Sequence, residues 1–290
     1  MKKIGFIGLG NMGAKMVINL LKANYKVIGY DIDKKSIEAL IPYGLKKASK
    51  LDDMSSDIDI IITMLPNGEI VEEVYNSIID NFKQNTLFVD CSTIDVDKAK
   101  SLHEKCTQYN LLSLDAPVSG GVVGAENGTL TFMVGGSNEA YNLMLPLFNI
   151  MGNKSVLCGS PSSGQAAKAC NNMLLAITMI GVGEAFNLGS DLGLDENKLF
   201  QILSTSSASC WSINNYCPIK NVGPKTPADH NYQPGFSANL MLKDLTIALK
   251  AIEKTKTSAP FGLKAKENFE KMVQNQNSDL DFSAIINFNK

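Results

Sequence analysis

Lys168 and Asn172 lie four residues apart in the run Gly164-Gln-Ala-Ala-Lys-Ala-Cys-Asn-Asn172. In a helix that spacing puts an amine and a carboxamide on one face, a turn apart. Such a pair suits proton transfer at an alcohol oxygen, the amine moving the proton and the amide orienting its partner. Taken alone, a helical lysine more commonly runs its stem along the surface and leaves its charge in water. A second candidate is Ser119-Gly120-Gly121. Two glycines after a serine let successive N–H groups converge on one anion, a place for a carboxylate, although the same residues also make an ordinary turn. The third is Gly8-Leu9-Gly10-Asn11-Met12-Gly13 near the amino end, with Asp31 further on. Glycines at that spacing permit a tight turn, an approach to a pyrophosphate and close helix–strand packing. The carboxylate of Asp31 suits the ribose hydroxyls of NAD and repels the 2′-phosphate of NADP. Lys34 and Lys35 lie just beyond and could soften that repulsion. NAD is the expected cofactor.

These residues need a frame. The glycine run sits between a strand pattern at 3–7 and a helical pattern carrying Met16, Leu20 and Leu21, and a second strand pattern at 26–30 ends at Asp31. Further strand patterns fall at 58–63, 86–90, 111–114, 130–136 and 155–157, with helical spacing over 95–106. Alternation of this kind predicts an α/β fold with a Rossmann-type, doubly wound, mostly parallel sheet. After Ser162 the strand patterns nearly vanish, and helices are expected over 164–192, 195–203, 239–255 and 263–274, with Asp195 as an N-cap. The expected division is a dinucleotide-binding domain over 1–162 and an all-helical domain over 163–290, holding a long irregular loop at 217–234. Lys243-Asp244 reads first as a helical ion pair, Phe236 and Trp211 as core, and Cys170 as a small buried residue.

Composition narrows the class. A chain of 290 residues exceeds the usual single domain, and 44% hydrophobic with 19% charged residues describes a globular protein. A net charge of −2 gives no electrostatic case for nucleic acid or an anionic membrane as partner. The six cysteines form no C-x-x-C pair and the two histidines do not flank them, so no metal is expected and reduced thiols in the cytoplasm are. Lys2-Lys3 and the following apolar run imitate a signal peptide, but the run is short and glycine-rich. The longest apolar stretch, 173–182, is far short of a membrane span and is expected to be a core helix.

With Met64-Leu-Pro66, Asp90-Cys-Ser-Thr-Ile-Asp95, Asp115-Ala-Pro-Val-Ser-Gly-Gly121 and Lys243-Asp-Leu245 added to the runs above, nearly the whole chain resembles the β-hydroxyacid dehydrogenases. Thr93-Ile94, Leu130-Thr-Phe-Met-Val-Gly-Gly136, Cys210-Trp-Ser212 and Asn231-Tyr-Gln-Pro-Gly-Phe236 resemble the branch acting on 3-hydroxyisobutyrate. Cys91 stands where a serine is commoner. The resemblance implies that Lys168 is the acid/base and that Asn172 orients it and the substrate. It implies that Ser119, Gly120 and Gly121 bind the substrate carboxylate and that Phe236 walls the site. Leu65, Pro66 and Thr93 would line the cofactor, and Lys243 would close over it. A homodimer or homotetramer is implied. The reaction implied is oxidation of 3-hydroxyisobutyrate to methylmalonate semialdehyde with NAD, a step of valine breakdown. Reduction of glyoxylate or tartronate semialdehyde, or a non-catalytic nucleotide-binding module, are the alternatives. The residue chemistry agrees: a hydride leaves carbon for the nicotinamide ring, and a base takes the hydroxyl proton. A lysine, ordinarily near about 10.4, becomes such a base when buried beside a cationic ring.

Overall fold

The computed structural model describes residues 2–54 and 57–288. The chain forms two compact units, Met1–Lys168 and Ala169–Lys290. The first is built on a nine-stranded sheet. Its central strands are β1 (Lys3–Ile7), β2 (Lys26–Tyr30), β3 (Lys46–Lys47), β4 (Ile60–Thr63), β5 (Leu87–Asp90) and β6 (Leu112–Asp115), parallel in the order β3-β2-β1-β4-β5-β6. Parallel central strands are covered on both faces and so read as unbroken apolar runs. Successive side chains then divide between two cores. Phe6, Ile60, Ile62 and Val89 pack on one face with Met16, Val17 and Leu20 of helix α1 (Asn11–Lys22). On the other face, Ile7, Ile61 and Phe88 pack with Val71, Tyr75 and Ile78.

The remaining elements of this unit are α2 (Lys34–Glu38), α3 (Gly68–Ile78), α4 (Val96–Gln108), β7 (Val118–Ser119), α5 (Gly121–Asn127), β8 (Leu130–Gly136), α6 (Asn138–Met151) and β9 (Gly152–Gly159). Beyond β6 the sheet changes sense. β8 runs antiparallel to β6 and β7, and β9 runs parallel to β8. β9 is longer than the 155–157 expected from sequence. Most of its residues are exposed or half-exposed, so apolar spacing does not mark its ends.

Helix α7 (Ser163–Asp191) starts in the first unit and continues into the second, which adds α8 (Glu196–Thr205), α9 (Trp211–Asn214), α10 (Ala238–Thr255) and α11 (Pro260–Met272). Asp195 caps α8 as expected, accepting from Lys198 N–H at 2.9 Å. Ala176, Met179, Met241, Leu245, Phe269 and Phe282 form the core of this unit. The expected irregular loop at 217–234 is folded. Thr226 Oγ1 donates to Cys217 O at 2.9 Å, Tyr232 OH donates to Pro218 O at 2.8 Å, and Asp229 accepts from two backbone amides. Two core expectations fail. Cys170 is exposed, because α7 buries a stripe that passes through Lys168, Ala169 and Asn172. Trp211 is 49% exposed and lies stacked on Tyr216. Nor is α7 wholly a core helix. Its length and mean hydropathy of 1.4 would suffice for a membrane span, and Leu174 and Leu188 are exposed.

Candidate active site

Each glycine of the amino-terminal turn answers to a different constraint. Gly8 has φ +95, and a Cβ there would lie 2.2 Å from Met64 O. A Cβ on Gly13 would lie 2.0 Å from Gly8 O. At Gly10 a Cβ would meet nothing within 4 Å. The turn is therefore tight where the protein must pack and open where a ligand would approach. Gly10 is the N-cap of α1 and offers no side-chain cap, so first-turn amides are left for an anion. These residues fit the pyrophosphate of a dinucleotide. Asp31, directly after β2, accepts from Leu9 N–H at 2.6 Å through Oδ2 and from Asp33 N–H at 2.8 Å through Oδ1. It braces the glycine turn.

The carboxyl ends of neighbouring strands are tied together. Leu65 N–H donates to Ser92 Oγ at 2.8 Å. The Gln165 carboxamide spans the turn holding Thr93: its Nε2 donates to Ser92 O at 2.7 Å and its Oε1 accepts from Ile94 N–H at 3.1 Å. Asp90 ends β5, accepting from Thr63 Oγ1 at 2.7 Å and Ser92 N–H at 3.1 Å through Oδ1. Its Oδ2 is buried with no hydrogen-bond partner among the described residues, and burial pushes the carboxyl up to about 6. One turn beyond Gln165, Lys168 is buried, and its Nζ donates to Val118 O at 2.9 Å. Val118 directly precedes Ser119, Gly120 and Gly121, whose glycines have φ +133 and +62. A Cβ on Gly121 would meet nothing within 4 Å. The first unit thus sets an amine beside an open, glycine-built turn.

The second unit holds Asn172, Phe236 and Lys243. Asn172 Nδ2 donates to Asp244 Oδ2, and its Oδ1 accepts from Asn171 Nδ2 at 2.8 Å. Lys243 Nζ lies 3.4 Å from the other Asp244 oxygen. The backbone amides of Gly235 and Phe236 both donate to Asp281 at 3.0 Å, and the Phe236 ring packs edge-on against Phe282.

Residues 3–159 match the family model described as the NAD binding domain of 6-phosphogluconate dehydrogenase. Residues 162–289 match the one described as NAD-binding of NADP-dependent 3-hydroxyisobutyrate dehydrogenase. The mitochondrial 3-hydroxyisobutyrate dehydrogenase of Drosophila melanogaster is 42% identical over 290 residues, covering 100% of this chain and 90% of that protein. This chain belongs to the 3-hydroxyisobutyrate dehydrogenase family. A probable 3-hydroxyisobutyrate dehydrogenase of Mycobacterium bovis is 40% identical over 99% of this chain and 97% of its own. The solved structure of the Mycobacterium tuberculosis 3-hydroxyisobutyrate dehydrogenase with L-serine matches with a TM-score of 0.95 at 39% identity, covering 100% and 99% of the two chains. As an oxidoreductase of the 3-hydroxyisobutyrate dehydrogenase family, the chain carries its nucleotide-binding turn on a Rossmann-type sheet.

The sequence marks no role for Asp115, Gln165 or Ser92, and for Asp244 only an ion pair with Lys243, not its bond to Asn172. Gln165 carried a usable signal, since it falls three residues before Lys168 on the same helix. Asp244 carried another, a carboxylate beside Leu245 in an otherwise apolar helical stripe. Asp115 carried none, because the two amides it accepts, from the residue before α7 and from its first turn, lie 47 and 50 positions away.

Proposed function

We propose that this protein oxidises 3-hydroxyisobutyrate to methylmalonate semialdehyde with NAD, with Lys168 as the acid/base. The observation that carries this reading is the buried Lys168 amine, held on the carbonyl that immediately precedes Ser119-Gly120-Gly121. The glycine amides and the Ser119 hydroxyl bind the substrate carboxylate, and Lys168 Nζ takes the hydroxyl proton. When bound, the nicotinamide supplies the acceptor for the hydride that leaves the same carbon. The first-turn amides of α1 hold the pyrophosphate, and Leu65, Pro66 and Thr93 line the dinucleotide. In the second unit, Asp244 Oδ2 accepts from the Asn172 carboxamide and the Lys243 amine lies 3.4 Å from its Oδ1; the family resemblance implies that Asn172 orients the reacting oxygen and that Lys243 serves the cofactor. Phe236 supplies an apolar wall.

Asp31 supports NAD over NADP. Each of its oxygens keeps a lone pair beyond the backbone amide it accepts, and its charge repels a 2′-phosphate. The free thiols of all six cysteines support a reducing compartment, the cytoplasm. The exposed Leu174, Leu188, Leu192, Ile202 and Phe261 support a homo-oligomer built through the helical unit. A spectrophotometric panel of small hydroxy acids with NAD and with NADP tests the whole reading. It predicts the highest kcat/KM for 3-hydroxyisobutyrate with NAD. A preference for reducing glyoxylate or tartronate semialdehyde would transfer the protein to that reaction, and no turnover with any member would overturn the enzymatic reading.

A further inference from the structure

The start of α7 is held by a carboxylate from another element. Asp115 ends β6. Its Oδ1 accepts from Ser162 N–H at 2.8 Å, and its Oδ2 accepts from Gln165 N–H at 2.8 Å. Amides at the first turn of a helix have no partner inside it and are ordinarily taken by a nearby N-cap side chain. Here the cap comes from the sheet. The carboxylate is itself oriented, since His103 Nε2 lies 3.1 Å from Oδ1 and His103 Nδ1 lies 2.6 Å from Ser113 Oγ.

The backbone around it is shaped for this contact. A Cβ on Gly135 would lie 2.3 Å from Asp115 Oδ1. A Cβ on Gly164 would lie 2.4 Å from Met133 O and 2.8 Å from Asp115 Oδ2. Ser162 has φ +73, a left-handed conformation that a serine rarely adopts unless its surroundings impose it. Two glycines without room for a side chain and one strained serine all serve the approach of a helix start to one carboxylate.

That approach closes a ring. The backbone runs from Asp115 to Val118, whose carbonyl accepts the Lys168 amine at 2.9 Å. Helix α7 leads back from Lys168 to Gln165, whose amide returns to Asp115. A slip of the helix start would carry Lys168 away from Val118 and from the Ser119 turn. It would also move the Gln165 carboxamide that spans Thr93.

We propose that Asp115 is a positioning residue for the dehydrogenation. By capping α7 from the sheet it fixes where the Lys168 amine stands relative to the turn that takes the substrate carboxylate. The idea rests on the dehydrogenase reading, and its test has one arm that needs no turnover.

Asp115→Asn keeps the shape of the side chain, but either orientation of the amide sets an NH2 group against one of the two helix amides. The expected result is a melting temperature lower by a few degrees, as for a lost cap, with the protein still folded at the assay temperature, an NAD affinity within about threefold of wild type, and a kcat lower by about a hundredfold, the scale of a misplacement near 1 Å. In the arm without turnover, Lys168 is labelled with pyridoxal phosphate and borohydride and read by peptide mass. The variant should label at least about fivefold faster, because its amine has left a buried carbonyl. Unchanged labelling together with unchanged kcat overturns the proposal. So does a kcat loss that merely tracks a loss of folded protein and of NAD affinity. If Asp115→Asn yields no folded protein, His103 decides. His103→Ala should lower kcat about tenfold and His103→Gln, which keeps a donor to Asp115, should restore it; equal, undiminished rates in both overturn the proposal. If the wild type oxidises no hydroxy acid, the labelling comparison still tests the positioning.

Discussion

A buried amine is costly unless its protons are placed, and Lys168 places one on Val118 O. A core lysine with no chemistry to do would be replaced at little cost by an apolar residue, whereas an acid/base needs the nitrogen itself. Lys168→Ala should therefore bind NAD with unchanged affinity, measured by quenching of protein fluorescence, and lose at least about a hundredfold in kcat. Turnover near the wild-type value would remove Lys168 from the mechanism. Asp31 belongs to the same scale: it braces Leu9 N–H, and the proposed function adds a second duty, the ribose contact. Loss of the brace weakens both dinucleotides, while loss of the ribose contact and of the repulsion acts on NAD and NADP in opposite directions. Asp31→Ala should accordingly lower kcat/KM for NAD more than for NADP, and an equal loss for both would leave the brace as its only role.

At the scale of elements, the glycine turn separates folding from binding. A Cβ at Gly13 would meet the Gly8 carbonyl, which cannot move without moving β1, whereas a Cβ at Gly10 would enter open space. Gly13→Ala should lower the melting temperature and dinucleotide affinity together. Gly10→Ala should melt as the wild type does and lose affinity alone, by about tenfold or more, since a methyl group would stand where the pyrophosphate approaches the first-turn amides. Calorimetric melts and titrations on the two variants check the contrast, and parallel losses in both would refute it. Patterns of this strength were legible in the sequence: β1, the glycine turn and β2 are local, with apolar spacing and backbone need agreeing. Of the half-exposed strand β9 only the centre, 155–157, was legible, because its outer residues are mostly exposed and apolar spacing does not mark them. Nor was the packing of the 217–234 loop, which depends on Asp229 and Thr226 meeting distant amides and carbonyls. The candidate site divides in the same way. Lys168 and Ser119-Gly120-Gly121 stand out by type and spacing, and Asp244 as a carboxylate in an apolar stripe, but Asp115 is visible only once strands and helices are assembled.

At the scale of the whole molecule, each unit buries a carboxyl group that resists ionisation. Burial pushes Asp90 from its ordinary 3.8 up to about 6, and burial likewise raises Asp281. Below about pH 4 both the folded and the unfolded chain hold the Asp90 proton and there is no penalty. Between there and about pH 6 the folded state binds more protons than the unfolded one, so stability falls as the pH rises. Above about 6 the penalty is complete, on the order of 1–3 kcal/mol. Asp90→Asn removes it while the amide oxygen keeps the bonds from Thr63 Oγ1 and Ser92 N–H. The new NH2 group takes the place of the orphaned Oδ2 and has its own desolvation cost, which does not vary with pH. The variant should therefore gain stability relative to wild type at pH 8, with the advantage shrinking as the pH falls toward 4. Asp281 titrates in the same sense in both proteins and cancels from the difference. Urea unfolding followed by circular dichroism at several pH values measures that difference directly. A gap constant with pH would mean that Asp90 ionises freely in the fold, by way of a solvent path to Oδ2.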